Sequence, residues 1–380
     1  MIDDLIQKDD EIKPYWMENW PEEVPRHIEY LNLTLGEYLH RTAVNYPESE
    51  AIYFEGFRMT YNELDEACDR FATGLSKIGV QKGDVVALDL PNVPQFIIAF
   101  YGICRLGAIA NPIIPLNRYV EIVHQINDSK AKVLIILDSL YEEHLHKKEL
   151  GKMASLEHII MTEVAEYLPK IKGFLGKLIK KVPYMKKWPT MVGDVLFHGF
   201  QDILQDGIPI DVPSIDINPT KETAVLIYTG GTTGVPKGVM TTHMNLVANA
   251  QQGNVWSQSQ LPELENVKGK GGMIIVLPLA HSFALSIGMN IAIHDGYKMI
   301  LFAQPPEDLS KILKLIKQEN ATFMPGVPTL WNKIAQNPNS VKYKGELSGF
   351  QACLSGASAL PLEVKKEFEE ITGARIIEGY

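Results

Sequence analysis

The chain has 380 residues, 46% of them hydrophobic and 22% charged, with a net charge of −10 and three cysteines. At roughly 150 residues per domain, that length allows two or three domains and a core large enough to need neither disulfides nor metal. The negative balance argues against nucleic acid as a partner. The odd, sparse set Cys68, Cys104 and Cys353, in apolar surroundings, fits buried thiols in a reducing, cytoplasmic compartment.

Residues 1–30 read as an irregular arm with scattered acids and prolines, which Trp16 and Trp20 are expected to pack onto the body. Its acidic start lacks the basic and apolar regions of a signal peptide. Thr60 stands three residues before Glu63, a capping-box spacing, and Leu64, Cys68, Phe71, Leu75 and Ile78 follow at helical intervals, so a helix is predicted there, closed by Gly79 and Gly83. Next come a strand over 85–90, a fully buried helix over 95–106, extended chain over 108–114, a helix over 120–127, and strands over 133–137 and 159–161. The apolar run 96–104 falls short of the ~20 residues of a membrane span. Residues 273–293 are long enough, but Pro278, His281 and Asn290 interrupt them, so a strand, a turn and a buried helix are predicted.

Residues 167–193 carry Lys170, Lys172, Lys177, Lys180, Lys181, Lys186 and Lys187 and no acid, interleaved with Phe174, Leu175, Leu178, Ile179 and Trp188. Two readings stay open: a solvated surface insertion, or peripheral contact with an anionic membrane. Beyond it, strands are predicted at 224–227, 273–277, 298–302, 322–324, 352–354 and 375–377, with helices at 306–319, 328–336 and 361–371. Alternating strands and helices argue α/β architecture, with parallel sheets covered on both faces. The expected organisation is an arm (1–30), a first α/β subdomain (31–166), a basic insertion and linker (167–220) and a second α/β subdomain (221–380). A last strand ending at Tyr380 leaves an edge open to pairing with a second copy, an expected homodimer contact.

The densest chemistry lies in Tyr228-Thr-Gly-Gly-Thr-Thr-Gly-Val-Pro-Lys-Gly238. Glycines let backbone N–H groups turn toward an anion. Thr229, Thr232 and Thr233 add hydroxyls, and Lys237 adds positive charge, so a polyphosphate is the expected guest. Lys237 follows a proline and precedes Gly238, which excludes the Walker A loop and disfavours a kinase or GTPase of that class. Three other segments follow predicted strands. In Leu277-Pro-Leu-Ala-His281-Ser-Phe283, the histidine is either a satisfied core residue or a functional one. The segment Pro325-Gly326-Val327-Pro328-Thr-Leu330 is a turn and helix start, and it is also compatible with a pocket wall. In Ser355-Gly356-Ala357-Ser358-Ala-Leu-Pro361, small side chains let another group approach the backbone at the carboxyl end of a strand.

Together these segments resemble the acyl-adenylate-forming, AMP-binding superfamily, and within it the long-chain fatty acyl-CoA ligases, from about residue 30 onward. The resemblance implies the N-terminal domain of an acyl-CoA synthetase, here as two packed α/β subdomains with the β-barrel part and the C-terminal domain largely or wholly missing. It implies ATP-dependent activation of a fatty acid to an acyl-adenylate and then to acyl-CoA, with ATP, Mg2+ and coenzyme A as cofactors or co-substrates. It assigns Tyr228, Thr229, Gly230, Gly231, Thr232, Thr233, Gly234, Lys237 and Gly238 to the ATP phosphates. Gly356, Ala357 and Ser358, with Glu378, Gly379 and Tyr380, fall to the adenine side. It assigns His281, Phe283, Gly326, Val327 and Pro328 to the acyl substrate, and makes Lys237, Thr232, Thr233 and His281 the candidate catalytic residues. The magnesium-binding Glu of the pattern is expected beyond Tyr380, so no metal ligand falls within the chain, and this polypeptide alone is expected not to turn over. Residues 281–289 hold no acid to pair with an amino-acid ammonium, which favours an apolar acid. Activation of another apolar or aryl acid, or nucleotide and acyl binding without turnover, are the alternatives.

Overall fold

A computed structural model describes residues 15–173, 184–209, 215–230 and 234–379. In chain order its strands are β1 (Glu50–Phe54), β2 (Phe57–Thr60), β3 (Val85–Asp89), β4 (Ile109–Pro112), β5 (Val133–Leu137), β6 (His158–Thr162), β7 (Met191–Val192), β8 (Val195–Gly199), β9 (Thr223–Tyr228), β10 (Gly238–Thr242), β11 (Gly272–Ile275), β12 (Lys298–Leu301), β13 (Phe323–Gly326), β14 (Ala352–Ser355) and β15 (Arg375–Glu378). They form a 7-stranded sheet, ordered β15-β14-β13-β11-β12-β1-β2, and an 8-stranded sheet, ordered β10-β9-β4-β3-β5-β6-β8-β7. Pairing is parallel except for β1 with β2, β9 with β10 and β7 with β8.

The alternation within strands builds the layers. Met273 and Ile275 of β11 and Val86 and Leu88 of β3 face one shared core. Ile274 faces a second core, beneath the helices Ser310–Glu319, Pro328–Ala335 and Leu362–Thr372. Ala87, with Leu134 and Ile136 of β5, faces a third. The helices Leu35–Asn45, Tyr61–Lys77, Pro94–Arg105 and His243–Gln260 contribute to the shared core, so they lie between two sheets that are each covered on both faces.

The division expected near residue 221 does not match the sheets. Strands β9 and β10 complete the first-half sheet, where Val225 pairs with Ala110. Strands β1 and β2 join the second-half sheet, where Ile52 pairs with Met299. A strand's backbone N–H and C=O groups are paired by any neighbour in register, wherever in the chain that neighbour lies.

Local signals account for several elements. Thr60 caps Tyr61–Lys77: its hydroxyl accepts from the Glu63 amide at 3.2 Å, and the Glu63 carboxylate accepts from the Thr60 amide at 2.8 Å. Gly79 and Gly83, at φ +90° and +86°, take the left-handed turns that follow. Residues 273–293 are a strand, a turn, a π-helix (Ala284–Asn290) and a short α-helix (Ile291–Asp295). Among the described residues no helix is long and apolar enough to cross a membrane. Trp20 seats the arm edge-on against Trp256, with ring centroids 5.3 Å apart. The three cysteines are buried and unbridged. Of the basic insertion, residues 174–183 lie outside the described part; Lys170, Lys186 and Lys187 are exposed.

Candidate functional site

The Tyr228–Gly238 segment is a β-hairpin tip at the edge of the 8-stranded sheet. It therefore leads from a strand into a strand, with the helix His243–Gln260 following only after β10. Its neck is closed: the Thr229 amide donates to the Lys237 carbonyl at 3.0 Å, and the Lys237 amide donates to the Thr229 hydroxyl at 3.3 Å. Thr229, Gly230, Gly234 and Lys237 are exposed. Among the described residues, a methyl group placed on Gly230 or Gly234 would find no atom within 4 Å. Gly231, Thr232 and Thr233 lie outside the described residues. Tyr228 faces the base of the hairpin: its hydroxyl donates to Asp128 Oδ2 at 2.6 Å, and its ring lies 3.1 Å from where a Cβ on Gly238 would stand. Burial, and then Asp128, push the Tyr228 phenol up, so it remains a donor. His124 reaches the Pro236 carbonyl at 3.2 Å.

The carboxyl ends of the 7-stranded sheet gather the other motifs. The Gly356 amide donates to the Gly326 carbonyl at 3.1 Å, joining β14 to β13, and the Gly379 amide donates to the Ser355 carbonyl at 2.8 Å. A Cβ on Gly356 would stand 3.0 Å from the Phe283 ring, so this glycine is where the His281 segment lies flat on the β14 loop. A Cβ on Gly326 would stand 2.3 Å from the buried Trp331 ring. Val327 precedes the helix Pro328–Ala335, with proline at its first position, so the helix-start reading of this segment holds. Ala357 is left-handed at φ +72°, a strained geometry for a residue with a side chain, and such strain concentrates at functional loops. Ser358 is exposed. Glu378 Oε2 accepts from the Leu360 amide at 3.4 Å. Tyr380 lies outside the described residues.

His281 is exposed, and its Nδ1 accepts the Phe283 amide at 3.2 Å. That bond caps the helical turn leading into the π-helix and leaves Nε2 as the ring's other polar atom. The turn before it is held by Asn92, which sequence reasoning missed. Asn92 Nδ2 donates to the Leu277 carbonyl at 3.0 Å, and its Oδ1 accepts the Leu279 amide at 2.8 Å. Asn92 sits in a Pro-Asn-Val-Pro turn after β3, so one buried side chain of the other sheet pins the loop that carries His281. Asp128 and His124 were also missed: ordinary residues on a helix, they gain meaning only from the hairpin beside them.

The structure thus brings His281, Phe283, Gly326 and Gly356 together, and holds the Lys237 hairpin separately. Among the described residues no hydrogen bond or ion pair joins the hairpin to that group. The segment 228–238 contains no carboxylate, so it offers magnesium no charged oxygen ligand.

The chain resembles known proteins over nearly its whole length. A family model described as AMP-binding enzyme matches residues 39–380. A long-chain-fatty-acid–CoA ligase of Bacillus subtilis (strain 168) is 34% identical over 367 residues, covering 96% of this chain and 62% of that relative. A long-chain-fatty-acid–CoA ligase of Yersinia pestis is 31% identical over 373 residues, covering 96% of this chain and 63% of its own length. This chain therefore spans less than two thirds of these relatives. The crystal structure of a long-chain-fatty-acid-CoA ligase from Archaeoglobus fulgidus matches with a TM-score of 0.72 at 22% identity, over 93% of this chain and 65% of that one, a likeness of fold. With the family match running from within the helix Leu35–Asn45 to residue 380, across the hairpin and every strand-end loop described above, the chain belongs to the AMP-binding enzyme family.

Proposed function

We propose that this chain is the nucleotide- and acyl-binding portion of an ATP-dependent acid–thiol ligase that activates a fatty acid of the long-chain class. A fatty carboxylate is already ionised at neutral pH and needs no general base. One of its oxygens attacks the α-phosphorus, the bond from that phosphorus to the bridging oxygen breaks, and pyrophosphate leaves. The thiol of coenzyme A then attacks the acyl carbonyl, giving up its proton, and AMP leaves with the electron pair of the broken acyl–oxygen bond. No protein atom is acylated, so the protein's part is alignment and charge stabilisation. Lys237, the Thr229 hydroxyl and the amides of the hairpin oppose the growing charge of pyrophosphate. His281 presents Nε2–H beside Phe283, where the acyl group is expected, as a donor and a shaping residue. Magnesium, when bound, would neutralise phosphate charge, and its protein ligands are not drawn from residues 228–238.

The observation that carries this reading is the hairpin: a neck closed by Thr229 and Lys237, with open space around Gly230 and Gly234 and an exposed lysine at its foot. The apolar acid is supported by the acid-free stretch 281–289 and by relatives that are long-chain-fatty-acid–CoA ligases. Turnover and binding are separable here. Acid-dependent ATP–pyrophosphate exchange, tried with fatty acids from octanoate to stearate, measures the first; ATP titration measures the second. Binding without exchange leaves this chain a nucleotide- and acyl-binding unit, and absence of both sinks the reading. Lys237→Ala removes a charge-assisted contact and is expected to weaken ATP roughly 10-fold or more while leaving the melting temperature unchanged.

A peripheral place at an anionic membrane surface, from the cytoplasm, is the proposed location. It is supported by Lys170, Lys186 and Lys187 beside Ile171 and Met191, which are 77% and 57% exposed. Salt-sensitive co-sedimentation with phosphatidylserine vesicles is expected, and indifference to salt or to lipid charge would remove this part.

A further inference from the structure

We infer that His124 and Asp128 are positioning residues: from one face of the helix Tyr119–Ser129 they hold the two legs of the phosphate hairpin in place. The inference rests on the reading of that hairpin as a polyphosphate site.

The two residues are four apart, so they stand one above the other on the helix. Asp128 accepts the Tyr228 hydroxyl at 2.6 Å, at the foot of the incoming leg. His124 Nε2 donates to the Pro236 carbonyl at 3.2 Å, on the outgoing leg and one residue before Lys237. The His124 and Tyr228 rings meet edge-on with centroids 6.4 Å apart, so the two anchors also touch through the hairpin's own aromatic.

The hairpin needs such anchors because the sheet does not hold its tip. Strand β10 is the outermost strand, and β9 is in register with β4 only where Val225 meets Ala110. Beyond Val225 the strands run on as a two-stranded ribbon, with Val239 and Met240 50% and 71% exposed, and a ribbon of two strands is marginal by itself. The helix is by contrast fixed to the body. Ile122 and Ile126 are buried in the outer core, and Gln125 Nε2 donates to Asn111 Oδ1 at 2.7 Å and to the Pro112 carbonyl at 2.9 Å. The chain is thus tied in sequence from β4, through the helix, to both ends of the loop that carries Thr229 and Lys237. Since the Tyr228 phenol is held protonated, it caps the Asp128 carboxylate with a proton and blunts a negative charge beside an anion site.

The test compares His124→Ala and Asp128→Ala with His124→Gln and Asp128→Asn, which keep a donor and an acceptor, in the full chain. Two readouts are taken: ATP affinity by titration, and hydrogen exchange of the Thr229 and Lys237 amides without nucleotide. Each alanine is expected to weaken ATP about 5-fold and to speed exchange at both amides by a similar factor, while the conservative variants stay within about twofold of the starting chain. Unchanged exchange and affinity overturn the inference, as does a loss equally deep in the conservative variants. If exchange responds as expected but no chain binds ATP, the anchors stand and the polyphosphate reading falls. If Lys237→Ala loses ATP while the alanine variants exchange and bind normally, the anchors fall and the polyphosphate reading stands.

Discussion

At the edge of the 8-stranded sheet, a methyl group on Gly230 or Gly234 would touch no described atom; at the strand ends of the 7-stranded sheet, one on Gly326 or Gly356 would meet the ring of Trp331 or Phe283. Glycine serves opposite ends in the two places. In the hairpin it leaves the backbone open on the side where a proposed phosphate would approach. At the strand ends it removes the side chain that would keep Trp331 and Phe283 from lying against the backbone, and so makes a dense floor. The floor gains its order from packing and from Asn92, buried and fully bonded. The hairpin gains its order from a few hydrogen bonds across its neck and to one helix. A mutation in the floor should therefore read out as stability, and one in the hairpin as affinity.

The largest expected effect tests the floor. Gly326→Ala drives a methyl into the indole of Trp331, which is fully buried and stands edge-on to Phe368 with centroids 5.0 Å apart. The ring has no open side to move into, so the cost is expected at roughly 2–3 kcal/mol, seen as a lower midpoint in denaturant unfolding. A loss below ~0.5 kcal/mol would show that the floor yields, and the contrast with the hairpin would collapse.

The next effect lies in how the floor's support responds to pH. Asp295 ends the short helix that continues from the π-helix, and burial pushes its carboxyl up to about 7 although Asn254 donates to both oxygens. The folded state thus keeps a proton on Asp295 across a range where the unfolded chain, at the ordinary 3.8, has lost it. Stability from this group is therefore full below about pH 4 and is lost as pH rises through about 7. His243 and His294 act the other way: burial pushes both down to about 4, so their contribution is full above 6.5 and is lost as pH falls. Asp295→Asn should remove one of two declining contributions, leaving the histidine slope and that of Glu166, which burial also pushes up to about 7. Between pH 5 and 8 it should remove a decline no steeper than roughly 1.4 kcal/mol per pH unit, whatever its constant offset. Parallel unfolding curves for the two chains at these pH values would exclude Asp295 as the cause.

The same contrast explains what could be read from the sequence. Most strands of both sheets were legible because each is a short apolar run between turn signals, and β5 of the 8-stranded sheet was placed to the residue. The capping box at Thr60 was legible, and the same pattern at Thr34 and Glu37 opens the helix Leu35–Asn45, which was overlooked. Strands β1 and β2 were overlooked because both runs are short and β12, the parallel partner of β1, lies far along the chain. Motif chemistry singled out Lys237, His281 and Gly356, but no strand was predicted after Tyr228–Gly238, because the strand Gly238–Thr242 is half-exposed and carries no apolar run. Asn92, His124 and Asp128 could not be read at all. Their meaning lies in partners 185, 112 and 100 residues away, and no local pattern encodes such a pairing.

The smallest expected effect on stability is the sharpest test of the comparison. Among the described residues, no atom lies within 4 Å of where a side chain on Gly234 would stand. Gly234→Ala therefore adds a methyl that meets no described atom, and it removes some backbone freedom from the unfolded chain. Stability should hold or rise by a few tenths up to ~1 kcal/mol. The methyl nevertheless occupies space in which phosphate oxygens would approach the loop amides, so ATP affinity should fall several-fold while the unfolding midpoint does not. If affinity and midpoint fall together, the hairpin is packed like the floor. If neither moves, Gly234 is a turn residue, and the space around it has no guest.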